Sequence, residues 1–132
     1  MTRTERGYAP ESGYLEKALA GIPELRDPAM PVCDLVEFDP LLDSSNIAVH
    51  EWTKLAEAIA SRYDQYDGFV ILHGTDTMAY TASALSFMLD GLDKPVIVTG
   101  SQIPLCEIRN DARDNVITAV LLAASSQPIP EV

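Results

Sequence analysis

The chain has 132 residues, enough for one domain that buries about two thirds of the surface exposed by its unfolded form. Its 20 acidic and 9 basic residues leave a formal net charge of −11. That charge repels a nucleic-acid backbone, and the basic residues are too scattered to hold an anionic membrane surface. No apolar run approaches a membrane span, and Met1–Tyr8 is too polar for a signal peptide, so a cytoplasmic location is expected. Cys33 and Cys106 lie far apart with no Cys/His cluster, so neither a disulfide nor a metal is expected.

Residues 1–31 are polar, carry Pro10, Pro23, Pro28 and Pro31, and predict a loop with one short helical pattern at Tyr14–Leu19 and no strand before it. Val32–Phe38 predicts a strand, and Leu42-Asp43-Ser44-Ser45-Asn46 a loop rich in turn formers. Trp52, Leu55, Ala56, Ile59 and Tyr63 recur at helical spacing and predict an amphipathic helix over about 48–64. Gly68-Phe69-Val70-Ile71-Leu72 is too short and too rich in strand formers for a helix. A buried helix is expected over about 78–90, with Gly91 placed to end it. Pro95–Gly100 is a second wholly apolar strand. The polar loop Ser101–Asn110 follows, then a last helix near 112–125 with Val116, Ala119, Val120 and Ala123 on one face.

Strands without polar alternation, separated by helices, predict an α/β fold. The expected form is a doubly wound parallel sheet of the Rossmann or flavodoxin kind, in three αβα layers. No linker or internal repeat divides residues 1–132. The run Pro128-Ile129-Pro130-Glu131-Val132 stands where a further strand is expected to begin, and no strand precedes the opening loop. The expectation is therefore a partial domain, incomplete at both ends.

The richest chemistry lies in His73-Gly74-Thr75-Asp76-Thr77-Met78, at the carboxyl end of one predicted strand and the start of a helix. Ligands bind at that edge of open α/β sheets. Capping alone needs one side-chain acceptor, whereas Thr75, Asp76 and Thr77 supply three behind a glycine. Asp43-Ser44-Ser45 and Thr99-Gly100-Ser101-Gln102 leave the same edge if the strands are parallel. Each of these two loops is equally readable as ordinary turn chemistry, and His73 reads better as a buried hydrogen-bonding residue than as a catalyst. Together the three loops suit a small zwitterion: helix-start amides for a carboxylate, Asp76 for an ammonium group, and a threonine hydroxyl as nucleophile or water positioner. A nucleotide suits them poorly, because no glycine-rich phosphate loop is present.

The string from His73 to Met78, with Thr81-Ala82, resembles the second signature of the bacterial-type L-asparaginases. Asp43–Asn46, Tyr66–Val70 and Lys94–Pro104 resemble the type I, cytoplasmic branch best. The resemblance implies that Thr75 belongs to a Thr-Lys-Asp triad and that Asp76 binds the substrate α-amino group. It gives Asp43, Ser44 and Ser45 the α-carboxylate, and the Ser101 backbone carbonyl the side-chain amide. Tyr8 matches a flexible-loop tyrosine that orients the first nucleophile. The implied reaction is hydrolysis of L-asparagine to L-aspartate and ammonia through a threonine ester, with no cofactor. A homodimer or homotetramer is implied for the full-length protein.

Three family features have no match here. These are the Thr-Gly-Gly-Thr-type signature that carries the first nucleophile, the triad lysine, and the acidic residue that a neighbouring subunit's smaller domain contributes. Lys94 enters its strand at the amino end, roughly 20 Å from the site edge at about 3.3 Å per residue. The 132 residues alone are therefore expected to be catalytically silent, and marginally stable or aggregation-prone through open strand edges. Two other readings stay open: the asparaginase-like subunit of a glutamyl-tRNA amidotransferase, and a non-catalytic remnant that binds aspartate or asparagine.

Overall fold

The computed structural model describes residues 2–4, 7–9, 11–127 and 129–132, and the side chains of 2–4 and 7–9 lie outside that description. Strand β1 (Thr2–Thr4) pairs antiparallel with β2 (Gly7–Ala9), Arg3 opposite Tyr8. The expected opening loop is thus corrected to a hairpin, and Tyr8 sits on a strand. Thr and Tyr tolerate the pleated backbone, and a local antiparallel partner satisfies it without any apolar run to announce it. Helix α1 follows at Tyr14–Ala20, then a 3-10 turn at Pro23–Arg26.

Beyond it lie α2 (Val49–Ala60), β3 (Phe69–Leu72), α3 (Met78–Met88), β4 (Val96–Thr99) and α4 (Ala112–Ala123). Strands β3 and β4 pair in parallel, from Phe69 opposite Val96 to Leu72 opposite Thr99. Two parallel strands joined through a helix make the chain an α/β protein. Helix α2 ends four residues before the expected limit and passes into a 3-10 turn at Tyr63–Gln65. Helix α3 ends at Met88 with Leu89 as its C-cap, so Gly91 does not end it as expected; at φ 72° it turns the chain just beyond.

Val32–Phe38 forms no strand, which corrects the expectation of a third one. A strand needs a neighbour for its N–H and C=O groups, and none of the described strands pairs with it. Side chains tether the segment instead. Glu37 accepts from Gly13 N–H at 3.0 Å, Asp34 accepts from the Tyr66 hydroxyl at 2.8 Å, and Phe38 packs on the core. Val32 and Val36 are left exposed, the former at 97%.

The core joins Leu55 and Ala56 of α2 to Leu85 of α3, with Phe38, Ile71, Leu89 and Val132 against them. Burying each large aliphatic side chain contributes about 1.5–3 kcal/mol. Helix α4 packs on β3 and β4 through buried Ala119, Val120 and Ala123. It comes so near that a Cβ on Gly68 would lie 2.1 Å from the Ala123 carbonyl oxygen. Gly68 and Ile71 are three residues apart along an extended chain, so α4 and the α2–α3 cluster lie on opposite sides of β3. At the outer edge of β4, Val96 N–H donates to the Glu131 carbonyl at 3.0 Å. Residues 129–132 form no strand, and this bond ties them to β4.

Candidate functional site

Parallel pairing places the ends of β3 and β4 at one edge, and the chain leaves both as polar loops. The two loops touch at their first residues. A Cβ on Gly100 would lie 2.3 Å from the His73 carbonyl oxygen, so only glycine fits there. His73 N–H donates to the Thr99 carbonyl at 2.8 Å and extends the ladder by one bond.

The Asp43–Ser45 loop reaches the same edge although no strand delivers it. Ser44, 3% exposed, donates from its hydroxyl to Asp76 Oδ2 at 3.0 Å. The Thr77 hydroxyl donates to the Ser44 carbonyl at 2.7 Å. Asp43 accepts at Oδ1 from the Ser45 N–H at 3.0 Å and from the Ser45 hydroxyl at 2.8 Å, which shapes the 3-10 turn Ser44–Asn46. Asp43 thus caps that turn. Thr77 occupies the N-cap of α3 but makes no side-chain cap bond; its hydroxyl is directed across to Ser44. Thr75 is half-buried, and among the described residues its hydroxyl has no hydrogen-bond partner.

Gly74 permits this convergence. A Cβ there would lie 2.2 Å from Ser44 Oγ and 2.7 Å from Ser44 Cβ. Behind it, Trp52 Nε1–H donates to Thr81 Oγ1 at 3.0 Å, and Thr81 Oγ1 lies 2.9 Å from His73 Nε2. His73 Nδ1 faces the Gly74 carbonyl at 2.6 Å, so Nδ1 carries the proton and Nε2 accepts from Thr81. His73 therefore occupies a hydrogen-bonding position behind the turn, as its place at the end of a strand suggested. The part played by Trp52 and Thr81 was not legible in the sequence, where Trp52 counted only as part of an apolar helix face.

The third loop is held from α4. Asp111 accepts from Gln102 N–H at 3.0 Å and Ile103 N–H at 2.9 Å, and Asn115 Nδ2 donates to the Gly100 carbonyl at 2.8 Å. The Ile103 N–H, then that of Gln102, holds the Asp111 carboxyl below the usual carboxylate range. The folded value is lower than the unfolded one. The contribution is therefore fully present above an ordinary aspartate value of about 3.9 and is lost as pH falls through the lowered folded value. The Gln102 and Ile103 amide resonances are expected to hold still from neutrality to about pH 5 and to move only below about pH 4. Movement near neutrality would contradict this origin.

Of the residues singled out, Asp43, Ser44, Ser45, Thr75 and Asp76 gather into one joined set, with Ser101 on the adjoining loop. Tyr8 lies on β2 with its side chain outside the described residues. Lys94 is tied down elsewhere, its Nζ donating to the Tyr63 carbonyl at 2.6 Å. Among the described residues no group of His, Cys, Asp and Glu could hold a metal ion. A cleft of about 530 Å³ is lined by Tyr14, Lys17, Ile22, Asn110 and Arg113 rather than by these loops. The strand-edge loops bear the hydroxyls and carboxylates and form the candidate site.

Fold and site thus define an α/β protein with hydroxyls and carboxylates converging at the carboxyl edge of a parallel sheet. The family model for the asparaginase amino-terminal domain matches residues 1–132. L-asparaginase 1 of Escherichia coli (strain K12) is 58% identical over all 132 residues, which span 39% of its length. The crystal structure of L-asparaginase I from Vibrio cholerae superposes with a TM-score of 0.86 at 56% identity, over 93% of this chain and 37% of that one. A more distant relative, a glutamyl-tRNA(Gln) amidotransferase subunit of Methanopyrus kandleri, is 36% identical over 127 residues, 93% of this chain and 27% of its own length. The chain belongs to the asparaginase family, through its amino-terminal domain.

Proposed function

We propose that this chain supplies part of the active site of a cytoplasmic, type I L-asparagine amidohydrolase. The observation that carries the reading is the pair of bonds joining two loops around Thr75: Ser44 Oγ to Asp76 Oδ2 at 3.0 Å, and Thr77 Oγ1 to the Ser44 carbonyl at 2.7 Å. Asp76 takes the substrate's α-ammonium group, and the turn Asp43-Ser44-Ser45 takes its α-carboxylate. The ends of one small zwitterion thus meet two loops that are already bonded together, so little ordering remains on binding. Thr75 directs its hydroxyl at the side-chain amide carbon, as nucleophile or through the water it orients. The Ser101 carbonyl receives the amide N–H, Tyr8 orients the first nucleophile, and no cofactor takes part. The higher identity to the asparaginase than to the amidotransferase subunit favours asparagine hydrolysis.

The reading extends to the architecture: a doubly wound, three-layer αβα sheet built around β3 and β4. Residues 1–132 form one part of that amino-terminal domain, and the whole protein is a homodimer or homotetramer. Among the described residues no lysine stands at Thr75: Lys94 is bonded to the Tyr63 carbonyl, Lys54 faces Glu51, and Lys17 lines the cleft beside Arg113. The 132-residue polypeptide is expected to release no ammonia from L-asparagine, while the protein of the full reading frame that contains it does so. Ammonia release measured on both preparations tests this. Activity in the short form, or silence in both, would overturn the proposal.

A further inference from the structure

Ser101 sits between two fixed peptide planes. A peptide unit is planar and trans, so the Ser101 carbonyl and the Gln102 N–H point in opposite directions. That N–H donates to Asp111 Oδ2 at 3.0 Å, so the Ser101 carbonyl points away from Asp111. The preceding plane is held at its other end, where Asn115 Nδ2 donates to the Gly100 carbonyl at 2.8 Å. Ile103 N–H adds a second bond to Asp111 at 2.9 Å.

Asp111 stands at the N-cap of α4, where an aspartate ordinarily accepts from its own helix. It makes no such bond; Asn110 Oδ1 accepts from Arg113 N–H at 3.1 Å instead. The Asp111 carboxylate is thereby released to the loop. Asn115 lies one turn further on, close enough to Asp111 Oδ2, at 3.4 Å, for the two to act as one support.

We propose that Asp111 and Asn115 are positioning residues that aim the Ser101 carbonyl at the substrate's side-chain amide. The inference rests on the function proposed above. A carbonyl aimed by one loop discriminates between substrate and product, because L-asparagine carries the amide donor and L-aspartate does not. Both molecules share the α-ammonium and α-carboxylate, which other residues take. Asp111 and Asn115 therefore govern recognition of the amide and leave the α-groups alone.

The test uses the full-frame protein with Asp111→Ala, Asp111→Asn and Asn115→Ala. For the two alanine variants kcat/KM for L-asparagine should fall about 10- to 100-fold, the usual loss from an ångström of misplacement. The Kd for L-aspartate should stay within about threefold, because its contacts are not altered. Asp111→Asn keeps one acceptor oxygen and should fall in between. Amide exchange at Gln102 and Ile103 should accelerate in Asp111→Ala. Unchanged kinetics, or aspartate affinity falling in step with kcat/KM, overturns the proposal; the latter marks mere support of the fold. If the unmutated protein fails to hydrolyse L-asparagine, the proposed function fails on that count. Unchanged amide exchange then overturns the positioning role separately.

Discussion

Replacing Thr75 by valine in the full-frame protein is expected to lower kcat/KM for L-asparagine by at least about 10³-fold, the scale on which loss of an attacking group acts. Valine keeps the branched shape and volume and removes only the hydroxyl. That hydroxyl has no partner among the described residues, so stability should change by less than about 0.5 kcal/mol. If Thr75 were instead a helix cap, the balance would reverse. Stability would fall by about 1 kcal/mol and activity would follow it only indirectly. The two outcomes are separated by measuring ammonia release and the thermal midpoint on the same preparation. Thr75→Ser retains the hydroxyl and is expected to retain most of the rate. A silent serine variant with an unchanged midpoint would show that the methyl group, not the hydroxyl, is what the site needs.

Gly68–Leu72 and Pro95–Gly100 were legible as parallel strands because uninterrupted apolar runs of that length have few other homes. From two parallel strands the meeting of their carboxyl-end loops follows, and so did the neighbourhood of Thr75, Asp76 and Ser101. Val32–Phe38 carries a similar apolar signal, yet it runs unpaired. Composition reports a segment's preference for a sheet and says nothing about whether a neighbour stands beside it. The hairpin at Thr2–Ala9 is hidden for the opposite reason, since its three-residue strands carry no apolar run and their pairing is local. The directions taken by Thr77 and Asp111 were also hidden. Each stands where local chemistry predicts a cap, and each bonds across the site edge because folding brings a better-placed partner there. The place of His73 at a strand end predicts a hydrogen-bonding residue, but its partner Thr81, and the Trp52 that donates to Thr81, are set by the packing of α2 on α3, which periodicity does not specify.

Gly74→Ala should damage this edge severely. The new Cβ would lie 2.2 Å from Ser44 Oγ and 2.7 Å from Ser44 Cβ. Rotating the Ser44 hydroxyl away relieves the first contact and not the second, so the Asp43–Ser45 turn must retreat. Ser44 is 3% exposed, and its retreat breaks the bond from its hydroxyl to Asp76 and strains the one from Thr77 to its carbonyl. Overpacking of this kind costs about 1–3 kcal/mol. The functional loss should be larger in proportion, because the turn that takes the α-carboxylate moves relative to Asp76, which takes the α-ammonium. One ångström of such separation corresponds to about 10²-fold in kcat/KM. The loss should show as weaker binding of L-asparagine and L-aspartate alike, in contrast to the Asp111 variants, which spare aspartate. A second substitution, Ser44→Gly, removes both clashing atoms. In Gly74→Ala/Ser44→Gly the turn can return, and part of the lost stability should return with it, although the bond to Asp76 does not. Independent, additive losses from the two substitutions would mean that Gly74 serves some need other than the approach of Ser44.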